Sequence, residues 1–470
     1  NPDFLNSRLV KNGDTLTLSF ETTERISTKD DLQGDLEGSR KPVVSFFNGE
    51  DELPVSDENI TLQTPDTTGT LWQASLSIDD TLASLQDKEG YLGFKITVLD
   101  KAGNQRVIEF GDDGTFGDSF DEGLTQKDLE GEGDFNTSNL SNYRVRFDTK
   151  LPEVESIKLL SSNGGTNFDY NSEGSNSLLL RHNDKISLEF VTSERISTRT
   201  DLLGIRKPEV YFISGDEELQ VPHQDIEAQD SDLSGTKWVA TLKIDESESS
   251  LSDKEVYLGF KVKVLDKSGN ERTIEFSDDG TSLTQNLPET PVIQTTNNSG
   301  DRARIDTKRP EVKEIALTSS NIGVNLDFID SRLIRDGDTL TLSFETTERI
   351  STKYDLEGDL KGSRKPSVSF YLDDKELPVD VDKITKQPSH EGEILWQAEL
   401  DIDGNLEHLQ DVEGYLGFKV TVLDKAGNQR VIRFLDDEKN LTQQTLEGEG
   451  NYSTLNPSTY RARMDTRLPQ

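Results

Sequence analysis

The chain has 470 residues, 31% of them hydrophobic, and its 90 Asp plus Glu against 51 Lys plus Arg leave a formal net charge of −39. That balance argues against nucleic acid as a partner, because phosphates need clustered Lys and Arg, and no apolar run approaches the ~20 residues that cross a bilayer as a helix. Cysteine is absent, which removes disulfides, thiolate metal sites and cysteine nucleophiles. No signal-peptide pattern opens the chain, so a mature protein or an excerpt of one is expected.

Taken in chain order, the apolar residues alternate with polar ones. Leu16, Leu18 and Phe20 are spaced by two, as are Val44 and Phe46, then Trp72, Ala74, Leu76 and Ile78. Leu92, Phe94, Ile96 and Val98 follow, then Ile108 and Phe110. A period of two predicts antiparallel strands with one face to a core and the other to water. The stretch Asp100-Lys101-Ala102-Gly103-Asn104 between two such strands reads as a hairpin turn, with Gly103 and Asn104 tolerating positive φ.

The whole pattern then returns twice. Leu99-Asp100-Lys101-Ala102-Gly103-Asn104 recurs as Leu265-Asp266-Lys267-Ser268-Gly269-Asn270 and as Leu423-Asp424-Lys425-Ala426-Gly427-Asn428. Each repeat closes on Asp-Thr-(Lys/Arg)-x-Pro, at Asp148 to Pro152, Asp306 to Pro310 and Asp465 to Pro469. A unit of about 150 residues can enclose its own core, so these are tandem domains and not solenoid repeats. The boundaries predicted are 1–149, 150–307 and 308–470. The fold class predicted is all-β, three β-sandwich domains in a row.

Repeats two and three open on Val154, Ile157 and Leu159 or Val312, Ile315 and Leu317, which read as a first strand. The first repeat lacks it, because Asn1-Pro2-Asp3-Phe4 aligns with Asn325-Leu326-Asp327-Phe328, beyond that strand. An open sheet edge is therefore expected in the first domain, as the sign of a longer array or of a strand supplied by a neighbour.

Together, the Gly-Asp-Thr-Leu strand, the Ser-Phe-x-x-x-Glu segment, the strand ending in Asp-x-Ala-Gly-Asn and the closing Asp-Thr-x-x-Pro resemble the tandem immunoglobulin-like repeats of large calcium-dependent bacterial surface adhesins. The resemblance covers all three repeats. It departs from the family in length, with an excess at Asp30 to Lys41 and an acidic excursion from Gly111 to Asn142. It implies an elongated rod of immunoglobulin-like domains outside the cell, stiffened by structural Ca²⁺ at the junctions.

In immunoglobulin-like topology the second strand ends at the same pole as the last hairpin, where the preceding domain also ends. Asp148 then faces Glu194, Asp266 and Asn270, and Asp306 faces Glu348, Asp424 and Asn428. The equivalent positions Glu24, Asp100, Asn104 and Asp465 complete the predicted metal ligands. Oxygen ligands converging from two domains suit a hard cation that takes six to eight of them, and carboxylates so crowded repel one another without it. Asp, Asn and Gly are also ordinary turn residues, and Asp-Thr before a proline also caps turns, so plain turn chemistry is the competing reading.

The acidic pairs Asp112-Asp113, Asp278-Asp279 and Asp436-Asp437 do not have EF-hand spacing and read as solvated loops. Trp72, Trp238 and Trp396 occupy one position of the repeat and read as core residues and not sugar platforms. No two of His182, His223, His390 and His408 are equivalent, so no recurrent catalytic histidine exists, and no enzyme activity is expected. The function predicted is a non-enzymatic stalk of a cell-surface adhesin, partnered by neighbouring domains of the same or identical chains, with any cell-surface ligand bound by other domains. The alternatives are a structural subunit of a surface layer or extracellular fibre, and a carbohydrate-binding accessory region of a secreted enzyme.

Overall fold

The computed structural model describes residues 8–26, 41–63, 69–112, 124–126, 144–163, 166–168, 176–196, 207–229, 235–245, 251–279, 283–285, 302–321, 332–346, 350, 365–387, 395–403, 409–436, 441–444 and 461–467. Among them the regular structure is strand, broken by three short 3₁₀ turns. No helix of the described residues is long and apolar enough to cross a membrane.

The second repeat shows the plan. One sheet has the order Val154–Ser161, Lys185–Thr192, Lys237–Lys243, Ile226–Ala228, all antiparallel. The other runs from Asn176–Leu180 through Ala303–Asp306 and Glu255–Leu265 to Glu209–Ser214 and Glu217–Gln220. Asn176–Leu180 pairs parallel with Ala303–Asp306 and, on its other edge, antiparallel with the short strand Thr166–Phe168. The third repeat has the same two sheets without, among the described residues, the edge strand Thr166–Phe168, and each repeat has one hydrophobic core drawn from its own residues alone. The alternating side chains of both sheets meet there: Ile186, Leu188, Phe190, Trp238 and Ala240 from one, Val210, Phe212, Phe260 and Val262 from the other. The three tryptophans are each 1% exposed, which makes them core residues.

The longest strand of the first repeat, Glu89–Leu99, changes partner along its length. Phe94 to Leu99 pair with Gln105–Asp112, while Glu89 to Leu92 pair with the closing strand Val145–Asp148. Within the excursion between those two strands, Leu124–Gln126 pairs with Gln105–Asp112, and the closing strand sets Asp148 opposite Glu89, at the pole that the simple topology predicts. Gly93 stands at the changeover, where a Cβ would lie 2.5 Å from the Phe110 carbonyl oxygen. Glycine is needed there for backbone approach and not for its φ.

Two details correct the sequence reading. The hairpin glycines do take positive φ (90° at Gly103), but Asn104 is not among the residues that do. The first strand also does not alternate strictly: its register slips between Val154 and Ser156, and again between Lys313 and Ile315. That β-bulge is why three residues, and not two, separate Val154 from Ile157 on one face.

Asp30, the acidic residues Asp113, Asp118, Asp121 and Glu122, and the histidines His390 and His408 lie outside the described residues.

Candidate metal centre

The site grows from the hairpin Asp266–Asn270. Asp266 Oδ1 accepts from the Gly269 and Asn270 backbone N–H groups at 2.7 and 2.9 Å, and Oδ2 accepts from Asn270 Nδ2 at 2.7 Å. This fixes the Asn270 amide so that it also donates to the carbonyls of Asp148, 2.8 Å, and Lys150, 3.2 Å, in the end of the preceding repeat. Arg272 Nε donates to the Pro152 carbonyl at 3.1 Å, and Ser268 Oγ donates to Asp148 Oδ2 at 2.9 Å. The asparagine predicted as a ligand is thus the bolt that holds one repeat's tail to the next repeat's hairpin.

Threonine of the closing motif does the turn capping. Thr307 Oγ1 accepts from Lys254 N–H at 3.0 Å and donates to the Leu251 carbonyl. Thr466 bonds the Val412 N–H and the Leu409 carbonyl in the same way, at 3.0 and 2.6 Å. In Asp-Thr-(Lys/Arg)-x-Pro the threonine closes its own repeat while the aspartate reaches towards the next.

The hairpin lock brings carboxylates together. Asp148, Glu194 and Asp266 each offer one oxygen within 4.8 Å of the others, the one such group among the described residues. Asp266 is 0% exposed and Asp148 5%. Burial and the neighbouring Asp148 push the Asp266 carboxyl up to about 6. Burial first, then the charges of Asp266, Asp148 and Glu89, push Glu194 up to about 7. Burial also raises Asp148, against the hydrogen bond from Ser268. All three shifts have the same sign because burial, helped by the neighbouring carboxylates, outweighs the opposing hydrogen bonds and the charges of Lys150 and Arg146. The donors are all oxygen, with no histidine or thiolate, which is the set a hard divalent cation takes and soft metals do not.

The next junction repeats the lock. Asn428 Nδ2 donates to the Asp306 and Lys308 carbonyls at 2.8 and 3.2 Å and to Asp424 Oδ2 at 2.7 Å. Arg430 Nε donates to the Pro310 carbonyl at 2.9 Å. Asp306 and Asp424 are 5% and 1% exposed. Glu348, predicted to join them, lies outside the described residues. A second set of bonds crosses here, from Asn163 Nδ2 to the Ala426 carbonyl at 3.0 Å and from Arg181 to the Gly427 carbonyl.

Four predicted ligands are not brought into a carboxylate group. Glu24 and Asn104 are exposed, Asp100 accepts from the Asn104 backbone and side chain at 2.8 and 2.6 Å, and Asp465 is exposed with Arg467 N–H as a donor. Local hydrogen bonds lower Asp100, the opposite of its buried counterpart Asp266. The same turn therefore has opposite electrostatics depending on whether another repeat's tail covers it.

Sequence reasoning missed Glu89 and Ser268 at this site, and it misread Asp278. Far from a solvated loop, Asp278 is buried with Arg302, both side chains at 0% exposure, and accepts from Nε and Nη2 at 2.7 and 2.8 Å. Arg302 stacks over Tyr257 at 4.6 Å, as Arg144 does over Tyr91 and Arg461 over Tyr415. The recurrence of an arginine just ahead of each closing strand was the available signal.

No family model and no curated protein matches the chain. Among solved structures, a structure from a 1.5-MDa bacterial ice-binding adhesin is 13% identical, with 90% of each chain covered and a TM-score of 0.30. A tetra-tandem repeat from the extending region of a large adhesion protein is 11% identical, covering 90% of this chain and 72% of that one, with a TM-score of 0.19. The Dpr2 Ig1-Ig2 complex with DIP-Theta Ig1-Ig3 is 8% identical, covering 91% and 95%, with a TM-score of 0.19. Likeness at this level fixes neither family nor function.

Proposed function

We propose that the chain is a non-enzymatic, extracellular spacer of an adhesin-like surface protein, built of three immunoglobulin-like domains (1–149, 150–307 and 308–470) joined end to end as a rod. Ca²⁺ held by Asp148, Glu194 and Asp266, and by Asp306 and Asp424 at the next junction, sets the stiffness of the whole. The observation that carries this reading is the duplicated lock, in which the tail of one repeat is bolted to the hairpin of the next by an asparagine and an arginine. Two junctions that share this asparagine and arginine lock hold each tail against the next hairpin in the same way, which is what a spacer requires.

The carboxylates supply the argument for the cation. Three acids share a small, largely dry volume, and the charged forms of all of them are disfavoured there. A divalent cation turns that repulsion into attraction, and it does so only when the two repeats are docked. Equilibrium dialysis of the full chain at pH 8 against radioactive calcium tests it. One ion per junction is expected, and Asp266→Asn removes one of them. Absence of binding at millimolar calcium overturns the cation part of the reading.

A further inference from the structure

The larger sheet of each repeat sets three charged side chains at equivalent positions on the face away from its core. In the first repeat Lys95 stands opposite Glu109, 3.8 Å away, and in the second Lys261 stands opposite Glu275. The edge strand adds a glutamate at the same place each time: Glu52 opposite Phe47, Glu218 opposite Ile213 and Glu376 opposite Tyr371. The first two repeats therefore hold one cation and two acids there. In the third repeat Lys419 stands opposite Arg433, and Glu376 is the acid that remains. Like charges directly opposite one another on neighbouring strands destabilise a sheet, and the reversal occurs in a chain whose formal net charge is −39.

Glu376 does not offset it. Hydrogen bonds from Ser369, Tyr371 and Lys419 hold its carboxyl down at about 2, with Lys419 Nζ 3.1 Å from Oε1. Arg433 is left with an aromatic ring and no acid among the described residues. Its guanidinium stacks on Tyr371, Cζ 4.4 Å from the ring centroid, and its Nε is buried without a hydrogen-bond partner. Tyr371 and Arg433 belong to the strands on either side of Glu413–Leu423. Gly417, opposite Tyr371 on that central strand, has no side chain to keep ring and guanidinium apart. Arg433 as a whole is half-buried, so the stack fixes the plane of the guanidinium while its Nη groups stay open to water beside Lys419.

We propose that Arg433 and Lys419 form an anion-binding site on the outer face of the third repeat, and that its ligand is a single carboxylate. Lys419 and Arg433 less Glu376 leave one positive charge, which one carboxylate cancels. A guanidinium offers paired N–H donors in a fork that a planar carboxylate accepts bidentately, and Lys419 adds a point charge next to it. Stacking on Tyr371 holds the fork in place before the ligand arrives, so little side-chain freedom is lost on binding. Glu109 and Glu275, at the position of Arg433, repel the same ligand in the first two repeats. Uronic-acid sugars and acidic side chains both carry the required group. The site uses no junction residue, so it stands apart from the calcium reading.

Saturation-transfer difference nuclear magnetic resonance on the full chain tests it, with sodium glucuronate as the sugar-acid probe and N-acetylglutamate α-amide as the side-chain probe. A difference signal is expected from at least one of them, and the tighter-binding probe names the source of the carboxylate. Sodium acetate should compete the signal away, while sodium chloride at equal ionic strength should not. Arg433→Glu restores the Lys–Glu pair of the other repeats and should lose the signal with the far-ultraviolet circular dichroism unchanged. Arg433→Lys keeps the charge without the fork and should reduce the signal by at least half. Absence of signal from both probes, an undiminished signal in Arg433→Glu or in Arg433→Lys, or equal competition by chloride each overturns the proposal.

Discussion

Glu194→Gln is the most informative single change, because the charge reading and a turn-capping reading predict opposite signs for it. Glu194 lies at the junction with its carboxyl pushed from 4.5 to about 7 by burial and by Asp266, Asp148 and Glu89. At 1.36 kcal/mol per unit, holding it ionised at pH 8 without a cation costs at most about 3 kcal/mol, and about half of that survives screening of a partly exposed group. Glutamine keeps the shape and removes the charge. In chelator at pH 8 the variant should therefore be more stable, by about 3–6 °C in the melting of the second repeat. With millimolar calcium the order should reverse, because the wild type gains a ligand and the variant does not. Differential scanning calorimetry of both proteins in both buffers reads the four values. A variant less stable than wild type in chelator, or one that keeps the full calcium increment, refutes the reasoning.

Other consequences follow from the same geometry. Without a divalent cation, the docked Asp266 and Glu194 hold protons more tightly than they do in the unfolded chain. Their favourable contribution is thus full below about pH 4 and is lost as pH rises through about 6 to 7; melting temperature against pH should show this fall in chelator and lose it in calcium. Asp278→Ala strands the buried Arg302 and should cost the second repeat about 3–5 kcal/mol in urea denaturation, with the flanking repeats unaffected. Gly93→Ala forces a Cβ against the Phe110 carbonyl and should destabilise the first repeat by about 1–3 kcal/mol, measured in the same way. Asn428→Ala removes bonds to Asp306, Lys308 and Asp424, and should raise proteolysis between repeats two and three without lowering either melting temperature.

What was legible in the sequence was whatever depends on periodicity. Alternation at Leu16 to Phe20, the single tryptophan per repeat and the Asp-x-x-Gly-Asn turn all report local rules, and the strands fall where those rules put them. The meeting of Asp148, Glu194 and Asp266 was also accessible, because repetition fixes the register and topology fixes which pole each residue reaches. Pairings between segments far apart and without a motif were not. Arg302 and Asp278 are joined across the long excursion, and no spacing rule connects them. Asn104 was credited with a backbone conformation when its counterparts Asn270 and Asn428 act through the side-chain amide. The bulge after Val154 was hidden too, since a slip of one residue leaves hydrophobic composition unchanged and alters only which face each residue takes.

Small-angle scattering of the full chain in calcium and in chelator is the most direct measurement of the central claim. A spacer locked at its junctions by Ca²⁺ should show a larger, sharply bounded maximum dimension in millimolar calcium and a broadened distance distribution in chelator, with far-ultraviolet circular dichroism unchanged between the two. Superimposable scattering in both buffers would contradict the account.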